Sequence, residues 1–151
     1  MLPTQEYPGL LIAVARRRIK QAVLARAAHR GISPQQFWLL VGLRERRATS
    51  QTELAERLHV DAPTASRVLA TLVRRRLVRM EEDPADRRRA RVRLTRAGEE
   101  LAGELAGIAG EIRTAMVEGM SAAELDGLRR GLHKIISNLE RLEARAAKEA
   151  S

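Results

Sequence analysis

Five of the seven residues from Arg87 to Arg93 are arginine, and the segment that carries them, "EEDPADRRRARVRLTRAG" from Glu81 to Gly98, begins with turn residues and closes with a helix start. A guanidinium stays charged at all physiological pH and offers a planar fork of donors, so its chemistry is the recognition of anions. In an isolated hairpin these like charges repel one another. Against a duplex phosphate lattice with one charge per about 1.7 Å the repulsion is more than offset. Asp83 and Asp86 sit inside the run, where a short carboxylate can bond turn backbone groups and pair with a neighbouring arginine to hold the loop's shape.

Catalytic chemistry has little to work with elsewhere. His29, His59 and His133 are scattered without metal-ligand spacing, and there are no cysteines, which removes thiolate nucleophiles, disulfides, Cys-based zinc sites and thiol redox switches together. No G-x-S-x-G, P-loop or dinucleotide fingerprint occurs. No enzyme, metal or cofactor is expected. Single-stranded nucleic-acid binding would need aromatic platforms, and the chain has one Phe, one Trp and one Tyr.

The net charge of +9 over 151 residues, with 28 basic against 19 acidic side chains, suits a polyanionic partner. No apolar run approaches the roughly 18 residues of a membrane span. Glu6 precedes a short apolar stretch and cationic residues follow it, the reverse of a signal peptide. A cytoplasmic protein with no membrane partner is the expectation.

The elements that must position the arginines are marked by helix punctuation. "SPQQ" at Ser33, "SQTE" at Ser50 and "SAAE" at Ser121 each offer an N-cap serine with Gln or Glu three residues on. Asp61 is a fourth cap, with Pro63 tolerated in the first turn. These signals predict helices over about 8–29, 34–46, 51–58, 62–76, 96–118 and 122–147. Between the fourth and fifth, Val78 and Met80 alternate with charged residues, as do Val92 and Leu94, which predicts a β-hairpin around the Asp-Pro loop.

A short helix, a turn "HVDA", a longer helix and a hairpin make a helix-turn-helix followed by a wing. Leu54, Leu58 and Val60 supply the inner side of the turn. On the second helix, Ala65, Val68, Leu69, Leu72 and Val73 form an apolar face, while Thr64, Arg67, Thr71 and Arg74 share the opposite one. Small Ala62, Pro63 and Ala65 allow close backbone approach to DNA. Thr64 and Ser66 can bond phosphates or bases, and Arg67 can fork onto guanine N7 and O6. Arg74, Arg75 and Arg76 suit phosphate contacts or favourable placement at a helix C-terminus. Ser33, Gln51 and Thr52, at the starts of the preceding helices, complete the expected DNA-binding set with Arg87, Arg88 and Arg89.

In the last helix Leu125, Leu128, Leu132, Ile135, Leu139 and Leu142 follow 3-4-3-4-3 spacing, a heptad stripe that wants a partner helix. The partner is either a seam within the chain or a second copy. Leu11, Val14, Ile19 and Val23 give the first helix an apolar set of its own, and chain ends meeting across a two-fold would cover both.

The run from Ser33 to Gly98 resembles the winged helix-turn-helix of MarR-type bacterial transcription regulators. That family's wing reads D-x-x-D-x-R, an alternating strand and L-T-x-x-G, met here by Asp83, Asp86, Arg88, Val92, Leu94, Thr95 and Gly98. Leu77 and Val78 match as well. The usual Gly before them is Arg76, a departure that bears on the shape of the helix end. The resemblance implies a mainly α fold with a small β-hairpin wing, a DNA-binding domain at 33–98, and N- and C-terminal dimerisation helices at 1–32 and 99–151. It further implies a homodimeric repressor on a pseudo-palindromic operator, with Arg88 entering the minor groove, Arg87 or Arg89 on phosphates or bracing the two aspartates, and release by a small anionic or aromatic effector. Trp38, His29 and Arg16 to Arg18 are positional candidates for an effector site, set against plain packing or surface roles. A winged-helix protein–protein adaptor or an architectural DNA-binding protein is the alternative.

Overall fold

The computed structural model describes residues 7–46 and 49–149. The elements are α1 (Pro8–Ala27), a 3-10 turn (Ala28–Arg30), α2 (Pro34–Arg46), β1 (Thr49–Ser50), α3 (Gln51–Leu58), α4 (Ala62–Arg74), β2 (Val78–Glu82), β3 (Ala90–Leu94), α5 (Arg96–Met116) and α6 (Ala122–Glu149). Each predicted helix is present, and α2, α3, α4 and α6 start at the capping signals, whereas Tyr7 gives α1 no side-chain cap. Ser33 Oγ accepts from the Gln36 amide while Gln36 Oε1 accepts from that of Ser33. Ser50 and Glu53, and Ser121 and Glu124, close the same reciprocal box. Asp61 Oδ1 accepts from the Thr64 amide at 2.7 Å. Each box satisfies backbone donors that a helix N-terminus otherwise leaves open.

The chain divides into two compact units, residues 1–113 and 114–151. In the first, a single core gathers Val23 and Ala27 of α1, Phe37, Leu39, Leu40, Val41 and Leu43 of α2, Leu54, Leu69 and Leu72 of the helix-turn-helix, Val78, Val92 and Leu94 of the sheet, and Ala102, Leu105, Ala109 and Ile112 of α5. Burying the Val, Leu, Ile and Phe side chains among these contributes about 1.5–3 kcal/mol each before conformational entropy is charged. In the second unit α6 buries none of its residues, and Leu128, Leu139 and Leu142 of the heptad stripe are 48%, 53% and 61% exposed. Tyr7, Leu10, Leu11 and Val14 of the α1 end are exposed too.

Two features differ from the sequence expectation. The wing is not a lone hairpin: Thr49 pairs with Val92 and Ser50 with Arg91, giving an antiparallel sheet of order β1-β3-β2. A two-residue strand has no periodicity to read, and it forms because β3 presents a free edge beside it. Val73, expected in the apolar face of α4, is 39% exposed, whereas Ala65, Leu69 and Leu72 are buried. The stripe that meets the core is narrower than the hydrophobic one.

Candidate nucleic-acid interface

The candidate surface begins with α4. Asp61 caps it, and the Thr64 amide and hydroxyl hold the Asp61 carboxyl below its ordinary range, so the cap is fully charged at neutral pH. Behind the exposed face, Ala65, Leu69 and Leu72 lock the helix onto the core. On that face the four predicted side chains form a continuous ladder. Arg67 Nη2 donates to Thr64 Oγ1 at 3.1 Å, the Thr71 hydroxyl donates to the Arg67 carbonyl, and Arg74 Nη2 donates to Thr71 Oγ1 at 3.1 Å. Each contact spans three or four residues, the spacing that stacks side chains along one helical stripe. Pro63, Ser66 and Arg67 are exposed at the N-terminal end, with Thr64 half-buried beside them.

The turn before α4 is tight because His59 takes a left-handed conformation, φ 49°, its amide donating to the carbonyls of Ala55 and Glu56. Between this turn, the start of α3 and the inner side of the wing lies an open groove of about 880 Å³ lined by residues that include Gln51, Thr52, His59, Ala62, Met80 and Arg89. The fold therefore brings Gln51 and Thr52 together with a wing arginine. His59 and Met80 join them unannounced; the only sequence signal for His59 was its place in the turn.

The wing is organised by its acids. Glu81 takes Arg79 at 2.7 Å and Arg93 at 3.1 Å, residues that face each other across the β2–β3 register. Without that shared carboxylate, two like charges directly opposite would destabilise the pair. Asp83 Oδ1 accepts from the Ala85 amide, its other oxygen lies 2.9 Å from Arg91 Nε, and these contacts hold its carboxyl below the usual range. Asp86 Oδ1 accepts from the Arg88 amide and Asp86 pairs loosely with Arg89 at 3.7 Å. The loop closes with the Asp83 amide donating to the Arg89 carbonyl. Of the five arginines in the run, Arg89, Arg91 and Arg93 thus have carboxylate partners, and among the described residues Arg87 and Arg88 have none. Both stand exposed at the tip.

Two expected site residues are placed apart from this surface. Ser33 is occupied in the α2 capping box. The Arg75 side chain turns to the α1–α2 junction, donating to the carbonyls of Gly31 at 2.7 Å and Arg30 at 3.1 Å. Of the effector candidates, His29 and Arg16 to Arg18 are exposed. Trp38 is half-buried, edge-on to Phe37 and covered by the Arg113 guanidinium at 5.8 Å, so its ring is already engaged in packing.

A capped recognition helix on a fixed turn, followed by a three-stranded wing, defines a winged helix-turn-helix protein. A family model described as "MarR family" matches residues 30–89. That segment, which holds α2, the helix-turn-helix and the first part of the wing, is similar to the MarR family. Among solved structures, it is similar to MepR of S. aureus in complex with DNA, at 24% identity and TM-score 0.83 over 91% of this chain and 99% of that one. BpsR of Bordetella bronchiseptica, whose DNA binding is regulated by 6-hydroxynicotinic acid, is 27% identical with TM-score 0.75 over 89% and 96% of the two chains. A cysteine-to-serine mutant of E. coli MarR bound to operator DNA is 24% identical with TM-score 0.72 over 84% and 91%. At 24% identity the likeness is one of fold. Among the described residues no helix is long and apolar enough to cross a membrane.

Proposed function

We propose that this protein is a cytoplasmic transcription repressor that binds a pseudo-palindromic DNA operator as a homodimer, each protomer placing α4 in the major groove and its wing tip in the adjacent minor groove. The observation that carries this reading is the division of the arginines: among the described residues Arg87 and Arg88 have no carboxylate partner and stand exposed at the wing tip, while carboxylates hold their neighbours in place. Arginine is the side chain that a narrow, negative minor groove attracts. The dimer reading rests on the apolar stripes of α6 and α1, too extensive to leave in water. In this reading residues 1–32 and 99–151 are the dimerisation region and 33–98 the DNA-binding domain.

A small anionic or aromatic effector releases the DNA by binding the DNA-incompetent arrangement better, and linkage limits its effect to that difference in affinity. The precedent of BpsR and 6-hydroxynicotinic acid supports this class of ligand. Selection of bound sites from random duplex DNA tests the reading and yields the operator; no enriched site, with no salt-dependent mobility shift, favours a protein–protein adaptor instead. Sedimentation at micromolar concentration tests the dimer, and Leu132→Asp should abolish it. Titration of aromatic carboxylates into the operator complex tests release.

A further inference from the structure

Arg75 lies at the C-cap of the recognition helix, yet its guanidinium reaches back 44 residues in sequence to the end of the 3-10 turn that joins α1 to α2. Nη1 donates to the Gly31 carbonyl at 2.7 Å and Nη2 to the Arg30 carbonyl at 3.1 Å, so a single planar fork spans two consecutive peptide units. The junction it grips is itself defined. Gly31 adopts φ 64°, a left-handed conformation that ends the turn, and a Cβ there would lie 3.8 Å from Arg75 Nη2. Arg30, whose carbonyl Arg75 takes, directs its own side chain to Glu104 of α5. The end of a helical turn gathers carbonyls with unmet hydrogen-bonding capacity and partial negative charge, which a cation satisfies well. Lysine, a point charge without the fork, could not hold both carbonyls in one geometry.

We infer that Arg75 is a positioning residue for DNA recognition: it straps the C-terminal end of α4 to the α1–α2 junction and thereby sets the angle at which the recognition helix is presented relative to α1. This inference rests on the DNA-binding reading above, and goes beyond it by giving Arg75 a role that involves no contact with DNA. In a dimer built through α1, the angle of α4 to α1 in each protomer determines the separation of the two recognition helices. Arg75 then governs which half-site spacing is tolerated.

The test compares wild-type protein with Arg75→Ala and Arg75→Lys on the selected operator and on versions with the half-site spacing changed by one base pair in either direction. Arg75→Ala should lower operator affinity by about tenfold, equivalent to losing one charge-assisted hydrogen bond. It should also flatten the preference among spacings while leaving the salt dependence of binding unchanged. Arg75→Lys should fall between. A phosphate contact behaves oppositely, reducing the salt slope by about one and weakening every duplex alike with the spacing preference intact, and that result would overturn the proposal. A second arm needs no DNA. The chain has no cysteine, so Gln21→Cys on α1 and Ser66→Cys on α4 give two clean positions for spin labels. Their distance distribution should be narrow with Arg75 present and broadened in Arg75→Ala, with thermal melting confirming that the variant is folded. An unchanged distribution refutes the strap. If wild-type protein binds no duplex at all, the DNA reading fails, and the distance measurement still decides whether Arg75 positions α4.

Discussion

The hydroxyl of Thr95, just ahead of α5, donates to the carbonyl of Arg76 at 2.7 Å, nineteen residues earlier at the end of the recognition helix. The Thr95 amide donates to the Leu77 carbonyl at 3.0 Å, and Thr95 Oγ1 accepts from the Gly98 amide at 3.1 Å. One threonine therefore caps α5 and pins the strand entry to the helix exit, which explains why Leu77, Thr95 and Gly98 occur together in the sequence. Arg76, the residue that departs from the resemblance's expected glycine, is held at φ 57°. The helix end keeps its left-handed exit despite the side chain.

Arg76→Gly should stabilise the protein. A non-glycine residue in the left-handed region costs about 1–2 kcal/mol, and glycine's greater freedom in the unfolded chain returns part of that. A net gain of about 0.5–1 kcal/mol in urea unfolding is expected. Equal or lower stability would mean that the Arg76 side chain contributes more than the strain removes.

Gly98→Ala should have the opposite effect. A Cβ at Gly98 would lie 1.9 Å from the Leu77 carbonyl oxygen, a backbone atom that cannot step aside without moving the wing. Loss of about 2 kcal/mol or more is expected, in the range of overpacked core sites. Chemical-denaturation midpoints of Gly98→Ala and of the control Gly107→Ala, where a Cβ meets nothing within 4 Å, decide it.

Arg67 and Arg74 stand on one stripe of α4 but should behave differently. Arg67→Ala should cost roughly 1–3 kcal/mol on the operator and relax preference at one base position. Arg74→Ala should weaken all duplexes about equally and reduce the salt slope by about one. Identical behaviour of the two on specific and random DNA would show that the reading face of α4 is misplaced.

At the wing tip, Arg88→Ala should reduce affinity most on operators with A·T-rich flanks, where the minor groove is narrow. Thermal stability should hardly change, because among the described residues Arg88 has no ion pair to lose. Equal losses on A·T-rich and G·C-rich flanks would reduce Arg88 to a phosphate contact.

Acid should unfold the protein by releasing its caps. Glu53 is held low first by the Thr49 hydroxyl and then by the Ser50 amide, Asp61 by Thr64, Asp83 by the Ala85 amide and Arg91, and Glu124 by Ser121. A carboxylate with a depressed folded-state pKa contributes stability that is present above its unfolded value and lost as pH falls through the folded one. Denaturation midpoints should therefore be level near neutrality and fall from about pH 5 downward. Asp83→Asn should flatten part of that fall; an unchanged profile would show that the Asp83 contacts contribute nothing.

Local spacing specified the helices and the hairpin of the wing. Helix starts were legible because Ser33, Ser50, Asp61 and Ser121 act on amides three residues away, and contacts of that range are encoded by spacing alone. The shared face of Thr64, Arg67, Thr71 and Arg74 was legible for the same reason, though not the hydrogen bonds that link them. So was the wing, where alternation and the Asp83 and Asp86 turn residues lie within one short segment. Tertiary structure decided what depended on distant partners. Strand β1 exists because β3 offers an edge. The pairing of Arg91 with Asp83 and of Arg93 with Glu81, which leaves Arg87 and Arg88 without a carboxylate partner among the described residues, follows from strand register. Arg75 meets carbonyls 44 and 45 residues away, and nothing in its neighbourhood along the chain distinguishes it from Arg74. Five arginines in a row of residues carry the same charge and the same donors; only the packed fold, by supplying some of them with acceptors, separates those that hold the protein together from those left for a partner.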